Sequence, residues 1–440
     1  MVAVVRRLPL LVAASSALIA CAGPSPSALE PNEPPAATGY ATFPPPPPTT
    51  TTVADTAEPA SATPPPPTPD DTAPIAAPTT VAAPAPVTAV PPTTVAPPPT
   101  TPPAGRTFNV LVAGDLLSHI PVLDQALEYG AGSTYDFTPM FHAVAPLIAS
   151  ADLSICHLET PVAPPGTPPD PTPPDYGVPA QIAAGIAAAG FDRCSLASNH
   201  VMDKGAAGID ATLAAFDAAG LGHAGMARTP EEAGPQLFDV NGITIAHLSY
   251  TFSYNGMPVA NGEPWRSNLI DVDRIVAEAR QAREHGARFV ILSVHWGAEG
   301  VTEVTGDQRQ WAEQITASGA VDVIVGHHAH VVQPIEQVNG RWVVFGLGNF
   351  LSAMSASTEC CGIRGQDGLL VRLTATEQPD GSFAVAPPQA IPTYVDRNDY
   401  VVLPVQSALA DPVLAAGVGV PALGESLART SRVVGSYVTG

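Results

Sequence analysis

"VDVIVGHHAHVVQP", from Val321 to Pro334, is an apolar run that closes on three histidines within four residues. Val321–Val325 is rich in β-branched residues, has strand length and is bounded by Gly326, so it reads as a buried strand. A hydrophobic core has no use for three imidazoles, and a surface loop rarely collects them. Residues two apart in extended chain point to the same side, so His328 and His330 can reach one centre while His327 faces away from both. The strand is expected to deliver ligands.

The same pattern recurs along the chain. "FNVLVAGD" ends on Asp115, "DLSICHLE" on His157 and Glu159, "RCSLASNH" on Asn199 and His200 with Asp203 just beyond, and "VILSVHW" on His295. "RWVVFGLGNF" reads as one strand closing near Asn349. Helical patterns separate these strands at 139–151, 179–190, 204–220, 271–286 and 306–319. Strands alternating with helices imply crossover units and a largely parallel sheet, followed by an antiparallel pair in 369–392. The carboxyl ends of such strands form the ligand crevice. Taken singly each residue has a bland reading: Asp115 a turn, Asp203 a helix cap, His295 a core partner of Trp296. Their joint placement at strand ends points to one shared site. Carboxylate, amide oxygen and imidazole together suit Mn, Zn, Fe or Ni better than Ca or Mg.

Composition narrows the partners. The formal net charge of −22 excludes nucleic acid, whose phosphates need a basic surface, and disfavours anionic headgroups. "MVAVVRRLPLLVAASSALIAC" has two arginines, an apolar run of leader length and small residues before Cys21. "LIAC" resembles the bacterial lipobox, which makes 1–21 a lipoprotein signal peptide, Cys21 the lipidation site and the location an extracytoplasmic membrane surface; the other reading is a plain secretory leader. Residues 22–105 are a Pro/Thr/Ala-rich tract without periodic apolar face, expected to be disordered. Extended as polyproline II it would reach on the order of 250 Å at about 3.1 Å per residue. One α/β domain is expected over 106–405, with 406–440 a C-terminal helix or tail. Cys156, Cys194, Cys360 and Cys361 allow three pairings, and the sequence does not choose.

"GD" at Asp115, "HLE" at Glu159, "SNHVMD" at Asn199–Asp203, "HWG" at His295, "GHHAHVVQ" at His328 and His330 and "GLGNF" at Asn349 occur in this order. The set resembles the CapA family of capsule or poly-γ-glutamate synthesis proteins, itself similar to the calcineurin-like metallophosphoesterases. The resemblance implies a four-layer αββα sandwich holding two divalent transition-metal ions. It implies that Asp115 and His330 bind the first ion, that Asn199, His295 and His328 bind the second, and that Glu159 bridges. His200, with Asp203, would stabilise charge or protonate a leaving group, while His157, His327 and Asn349 would support the ligands without binding. Phosphoesterases carry Asp-x-His at the first strand, whereas position 117 here is Leu and His119 lies two residues further on. The implied functions are a metal-dependent hydrolase acting on a phosphoester or γ-glutamyl amide of an envelope polymer or its precursor, or a non-catalytic component of a polymer synthesis or export complex. Arg266, Arg364 and Arg372 are candidates for attracting an anionic polymer, and Ser249–Ile270 is a candidate rim loop.

Overall fold

The computed structural model describes residues 105–172 and 175–439. The leader 1–21 with Cys21, and the linker as far as residue 104, lie outside the described residues.

The chain runs β1 (Thr107–Leu117), α1 (Ile120–Tyr129), α2 (Thr138–Phe141), α3 (Ala145–Ile148), β2 (Leu153–Leu158), α4 (Gln181–Ala188), β3 (Arg193–Ser195), α5 (Gly205–Ala219) and β4 (Gly222–Ala224). It continues through β5 (Gln236–Val240), β6 (Ile243–Thr251), α6 (Val272–Glu284), β7 (Phe289–Trp296), α7 (Gly306–Ala317), β8 (Val323–His328), β9 (Ile335–Val338), β10 (Arg341–Val344) and β11 (Asn349–Ser352). The last elements are β12 (Asp367–Glu377), β13 (Phe383–Val385), β14 (Gln389–Val395), β15 (Val402–Pro404), α8 (Val405–Ala410) and α9 (Val420–Val434). Local chemistry sets several ends. Asp271 caps α6 by accepting from the Arg274 amide, and Thr305 with Gln308 forms a capping box on α7.

Two sheets form, one in the order β15-β14-β12-β1-β2-β3-β4 with β11 beside β1 and β13 beside β12, the other β5-β6-β7-β8-β10-β9. The strands are apolar on both faces because both faces are covered. On β1, Val110 and Val112 face the second sheet, where they join Ile245, Ile291 and Val325. Leu111 and Ala113 face outward onto Ile182, Ile186 and Ile209 of α4 and α5. On β7, Phe289 and Ile291 point inward, while Val290, Leu292 and Val294 meet Ile275, Ala279 and Ile315 of α6 and α7. Helices, sheet, sheet, helices: this is the four-layer αββα sandwich. The runs β1-β2-β3 and β6-β7-β8 are parallel within themselves, so each presents its carboxyl ends along one edge.

Two elements differ from the sequence reading. The helix expected over 139–151 breaks into α2 and α3, because Pro146 at the start of α3 has no amide hydrogen to bond the His142 carbonyl. The strand expected over 341–350 divides between the sheets: β10 pairs with β8 in one, β11 with β1 in the other. Gly346–Gly348 makes that crossing. At Gly348 φ is 68°, and an added Cβ would stand 2.6 Å from the Asp367 carbonyl, so glycine is required there.

The C-terminal segment packs on this frame. Val405, Ala408, Ala415 and Leu423 form a cluster with Tyr394, Val401 and Leu403, and Val434 reaches the core between the sheets. Arg429 holds Asp367 through Nε at 2.7 Å and Nη2 at 2.8 Å, and Ser426 Oγ donates to the same carboxylate at 2.6 Å. Of the three pairings open to the cysteines, the structure has Cys156 with Cys194, facing each other across β2 and β3, and Cys360 with Cys361. Among the described residues no helix is long and apolar enough to cross a membrane.

Candidate metal centre

β1 delivers Asp115 through a doubly irregular pairing. Its register slips between Val112 and Asp115 on the β2 side, and between Asp115 and Leu116 on the β11 side. Such bulges re-aim a side chain, and Asp115 ends fully buried. Its Oδ1 lies 2.9 Å from His327 Nδ1, its Oδ2 accepts from the His328 amide at 3.0 Å, and His330 Nδ1 stands 3.4 Å away. Burial opposes its charge, but the His327 and His330 contacts outweigh burial and hold the carboxyl well below its ordinary range.

β2 delivers Glu159, one residue past its end. Glu159 is fully buried, and neither of its carboxylate oxygens has a hydrogen-bond partner among the described residues. Its Oε1 lies 3.6 Å from His330 Nε2 and 3.9 Å from His295 Nε2. Two sets of ligand atoms meet on it, Asp115–Glu159–His330 and Glu159–His295–His328, each with its atoms within 4.8 Å of one another. A buried carboxylate with no donor is expensive to charge, and burial pushes Glu159 up to about 7.

His328 and His330 reach Glu159 by a route that strand alternation does not provide. β8 ends at His328, and the backbone turns left-handed at both residues, with φ of 84° and 55°. Non-glycine residues in this region cost about 1–3 kcal/mol each and persist where the surroundings fix them. His328 Nδ1 is buried without a partner. Burial and the neighbouring His330 lower His328 to about 3, and burial with His328 and His157 takes His295 well below its ordinary value. Burial alone would lower His330 as well, yet Glu159 and Asp115 raise it to about 10.

The residues expected to support the ligands lie around them. His157 contacts Ser195 Oγ at 2.8 Å through Nδ1 and His295 Nδ1 at 2.9 Å through Nε2, and stacks on His327 at 4.0 Å. His295 Nε2 in turn lies 2.9 Å from Asn199 Oδ1. Asn349 Oδ1 meets His330 Nδ1 at 3.0 Å, while its Nδ2 donates to the Gly365 carbonyl at 2.9 Å. Asp115, His157 and His327 also fall within 4.8 Å of one another, but their ring nitrogens largely serve these internal bonds.

His200 stands at the edge. Its Nδ1 is bonded to Asp203 Oδ2 at 2.8 Å, and Asp203 also accepts from the Tyr176 amide at 2.8 Å, so the imidazole is fixed with no bond to Nε2 among the described residues. Burial lowers His200, but the Asp203 bond and the Glu159 charge prevail and raise it. Leu117 is buried among Tyr176, Ala329, Val331 and Met354, an apolar side chain where a ligand was sought. His119 falls outside every ligand set among the described residues; its Nδ1 accepts from the Ala353 amide at 3.3 Å, and burial lowers it to about 4.

Of the candidate arginines, Arg266 is held by Asp210 and Glu263, and Arg372 bonds Asn109 and Ser150. Arg364 bonds the Thr302 hydroxyl. The rim loop contributes Phe252, whose ring lies 4.6 Å from that of His328. Glu299 escaped the sequence reading. It is exposed, yet forms a set with His328 and His330, and the signal was its place three residues after Trp296 at the end of β7. Tyr176, edge-on to His200 at 4.7 Å, comes from an irregular segment that offers no periodic signal.

The family model of the bacterial capsule synthesis protein PGA_cap matches residues 109–354. Over 200 residues, 45% of this chain and 50% of the other, the sequence is 33% identical to the PGA biosynthesis protein CapA of Bacillus subtilis (strain 168). Over 167 residues, 37% of this chain and 40% of the other, it is 30% identical to the capsule biosynthesis protein CapA of Bacillus anthracis. The chain thus spans about half the length of these curated relatives. Among solved structures it is similar to the calcineurin-like phosphoesterase YfkN of Bacillus subtilis, at 14% identity and a TM-score of 0.40, covering 75% of this chain and 98% of that one.

Proposed function

The chain belongs to the bacterial capsule synthesis family PGA_cap, and from that premise we propose that it serves envelope-polymer synthesis as an extracytoplasmic, lipid-anchored, metal-dependent hydrolase. The polymer is poly-γ-glutamate or a related γ-glutamyl chain, and the bond cleaved is a γ-glutamyl amide or a phosphoester of a precursor. Cys21, outside the described residues, supplies the anchor. The relatives' names support the polymer, and the site supports the metal.

One observation carries the reading: Glu159, wholly buried, offers two unpartnered oxygens at the junction of two ligand sets. Divalent cations held by these residues would satisfy them. The residues fit such a pair: Asp115, Glu159 and His330 for one ion, Glu159, Asn199, His295 and His328 for the other. The mixture of nitrogen and oxygen donors favours Mn, Zn, Fe or Ni. Two such ions supply Lewis-acid polarisation of the scissile group and an acidified water. The chain's own residues do the rest. His200 carries a proton, kept there by Asp203, and releases it from Nε2 to the departing group. Phe252 and the rim loop narrow access beside His328. Leu117 favours a second reading, a metal-bearing but non-catalytic component, because an apolar side chain stands where a first-ion ligand was expected.

The test is metal content and turnover of the full-length protein. Near two equivalents of transition metal are expected, lost in the double variant His328→Ala, His330→Ala. His200→Asn should keep the metal and lower cleavage of γ-glutamyl amides or phosphoesters by about 10²–10⁴-fold. Full metal with no hydrolysis of either class would establish the non-catalytic reading, and no metal in a folded wild type would overturn both.

A further inference from the structure

The residues that would hold the two ions are withdrawn from solvent. Asp115, Glu159 and His295 have no exposure, and His328 and His330 keep 5% and 3%. A hydrated dication bound for them has to trade its water for protein donors in stages, because stripping it in one step is costly. Glu299 is the exposed member of the ligand sets among the described residues and stands at that boundary. A carboxylate oxygen of Glu299 and one ring nitrogen each of His328 and His330 lie within 4.8 Å of one another. Backbone fixes the carboxylate there. Gly300 turns left-handed at a φ of 71°, and its amide bonds the carbonyl of Ala329, between the two histidines, at 2.8 Å. An added Cβ at Gly300 would collide with the Cys360 carbonyl. Gln333 Nε2 holds the next carbonyl, that of Val301, at 2.9 Å.

This outer set cannot be filled together with both inner ones. An imidazole that binds an ion through one nitrogen keeps its proton on the other, so each histidine serves one ion at a time. With His328 given to the second ion and His330 to the first, Glu299 shares them only while an inner position is open. His328 Nδ1 is buried with no hydrogen-bond partner among the described residues, so no protein group there competes for that nitrogen. We propose that Glu299, His328 and His330 form a loading site for a divalent transition-metal cation. An entering cation binds there first, still partly hydrated, and then passes to Glu159 and the inner ligands, one histidine keeping hold as Glu299 lets go. The proposal rests on the metal reading above and adds the route by which the centre fills. It needs no hydrolysis, so it applies equally to the non-catalytic reading.

The experiment mixes metal-depleted full-length protein with Co²⁺ alone and follows the visible absorption of the coordinated ion with time. Release into excess chelator and an equilibrium titration complete the measurement. Glu299→Gln keeps the size of an exposed side chain and removes its charge. It is expected to slow uptake by about tenfold or more and to slow release by the same factor, leaving stoichiometry and affinity unchanged, because a station on the route alters both directions alike. Glu303→Gln removes the same charge from the same loop, exposed and outside every ligand set among the described residues, and should leave both rates as they are. Equal slowing by Glu303→Gln would overturn the loading site in favour of general attraction by the net charge of −22. Faster release with weaker affinity in Glu299→Gln would overturn it by making Glu299 a resident ligand. Uptake indifferent to Glu299, with normal equilibrium binding, would remove the loading site and leave the metal reading standing. A folded wild type that binds no Co²⁺ at equilibrium would remove both.

Discussion

The two halves of the candidate centre share Glu159, and the His328 amide of one bonds Asp115 of the other. On one side stand Asp115 and His330, a carboxylate and an imidazole that Asp115 and Glu159 together keep protonated, its value raised to about 10. On the other stand His295 and His328, both held neutral by burial and by neighbouring imidazoles. The first half therefore holds a proton where an ion would go, while the second already presents neutral nitrogen, including the orphan Nδ1 of His328. The first half also has Leu117 where the phosphoesterase pattern has a histidine. Opposite strategies for a buried carboxylate meet across one residue, and the second half is the better prepared for a metal.

That asymmetry can be broken at its hinge. Glu159→Ala removes the shared ligand and should empty both halves, a loss beyond the roughly 10–100-fold that deleting an outer partner costs; elemental analysis after dialysis against dilute metal reads it. His157→Asn should act mainly on the second half, since His157 bonds His295 directly and reaches Asp115 only by stacking on His327. It releases His295 from its 2.9 Å contact, and the second ion's affinity should fall by about 10–100-fold, more than that of the first. Leu117→His sharpens the comparison instead. It adds a ligand to the weaker half, so first-ion affinity should rise by about tenfold, against a stability loss of about 1–3 kcal/mol for a polar ring among Ala329, Val331 and Met354. Chemical denaturation of the metal-free variant measures the second effect, and competitive metal titration the first.

How much of this was legible follows from which forces are local. The apolar runs and their glycine punctuation pointed to covered, largely parallel strands alternating with helices, because a strand covered on both faces must be apolar throughout; the four-layer sandwich was implied only by the family resemblance. Asp115, Glu159, His295, His328 and His330, which the structure brings together, and Asn199, which it sets against His295, could be singled out beforehand because a strand end is a place that sequence can locate. Their geometry was not. His328 and His330 converge through left-handed turns rather than alternation, and such turns are imposed by the packing around them. The division of 341–350 between sheets was hidden because Gly346–Gly348 interrupts no apolar pattern. Pro146 was visible, and its effect on 139–151 was readable from the missing amide alone. The short strands β4, β5, β9 and β15 carry too few residues for periodicity. Tyr176 and Phe252 sit on irregular loops, where only tertiary contacts identify them, and the sole local signal for Glu299 was its place just past the end of β7. The charge asymmetry between the two halves depends on burial depth, which no local pattern encodes.

The smallest predicted effect is also the most discriminating. Because His330 is raised above the ordinary histidine value, its proton is bound more tightly in the fold than in the unfolded chain. The stability it contributes is complete below about pH 6.5 and is lost as pH rises through about 10. An ion in the first half must displace that proton, so its apparent affinity should climb with pH between about 7 and 10, by at most about tenfold per unit for one proton released. His295 and His328 lie below their ordinary value and are already neutral in this window. Glu159, near 7, ionises at its lower edge and affects both halves equally. The second ion should therefore bind with nearly constant affinity from pH 8 to 10 while the first gains. Metal titrations at three pH values, in pairs of buffers differing in ionisation enthalpy, count the protons released by each ion. One proton for the weaker ion and none for the stronger is the expected result. Equal release from both would mean that the halves share their charge across Glu159, and the asymmetry between them would be lost.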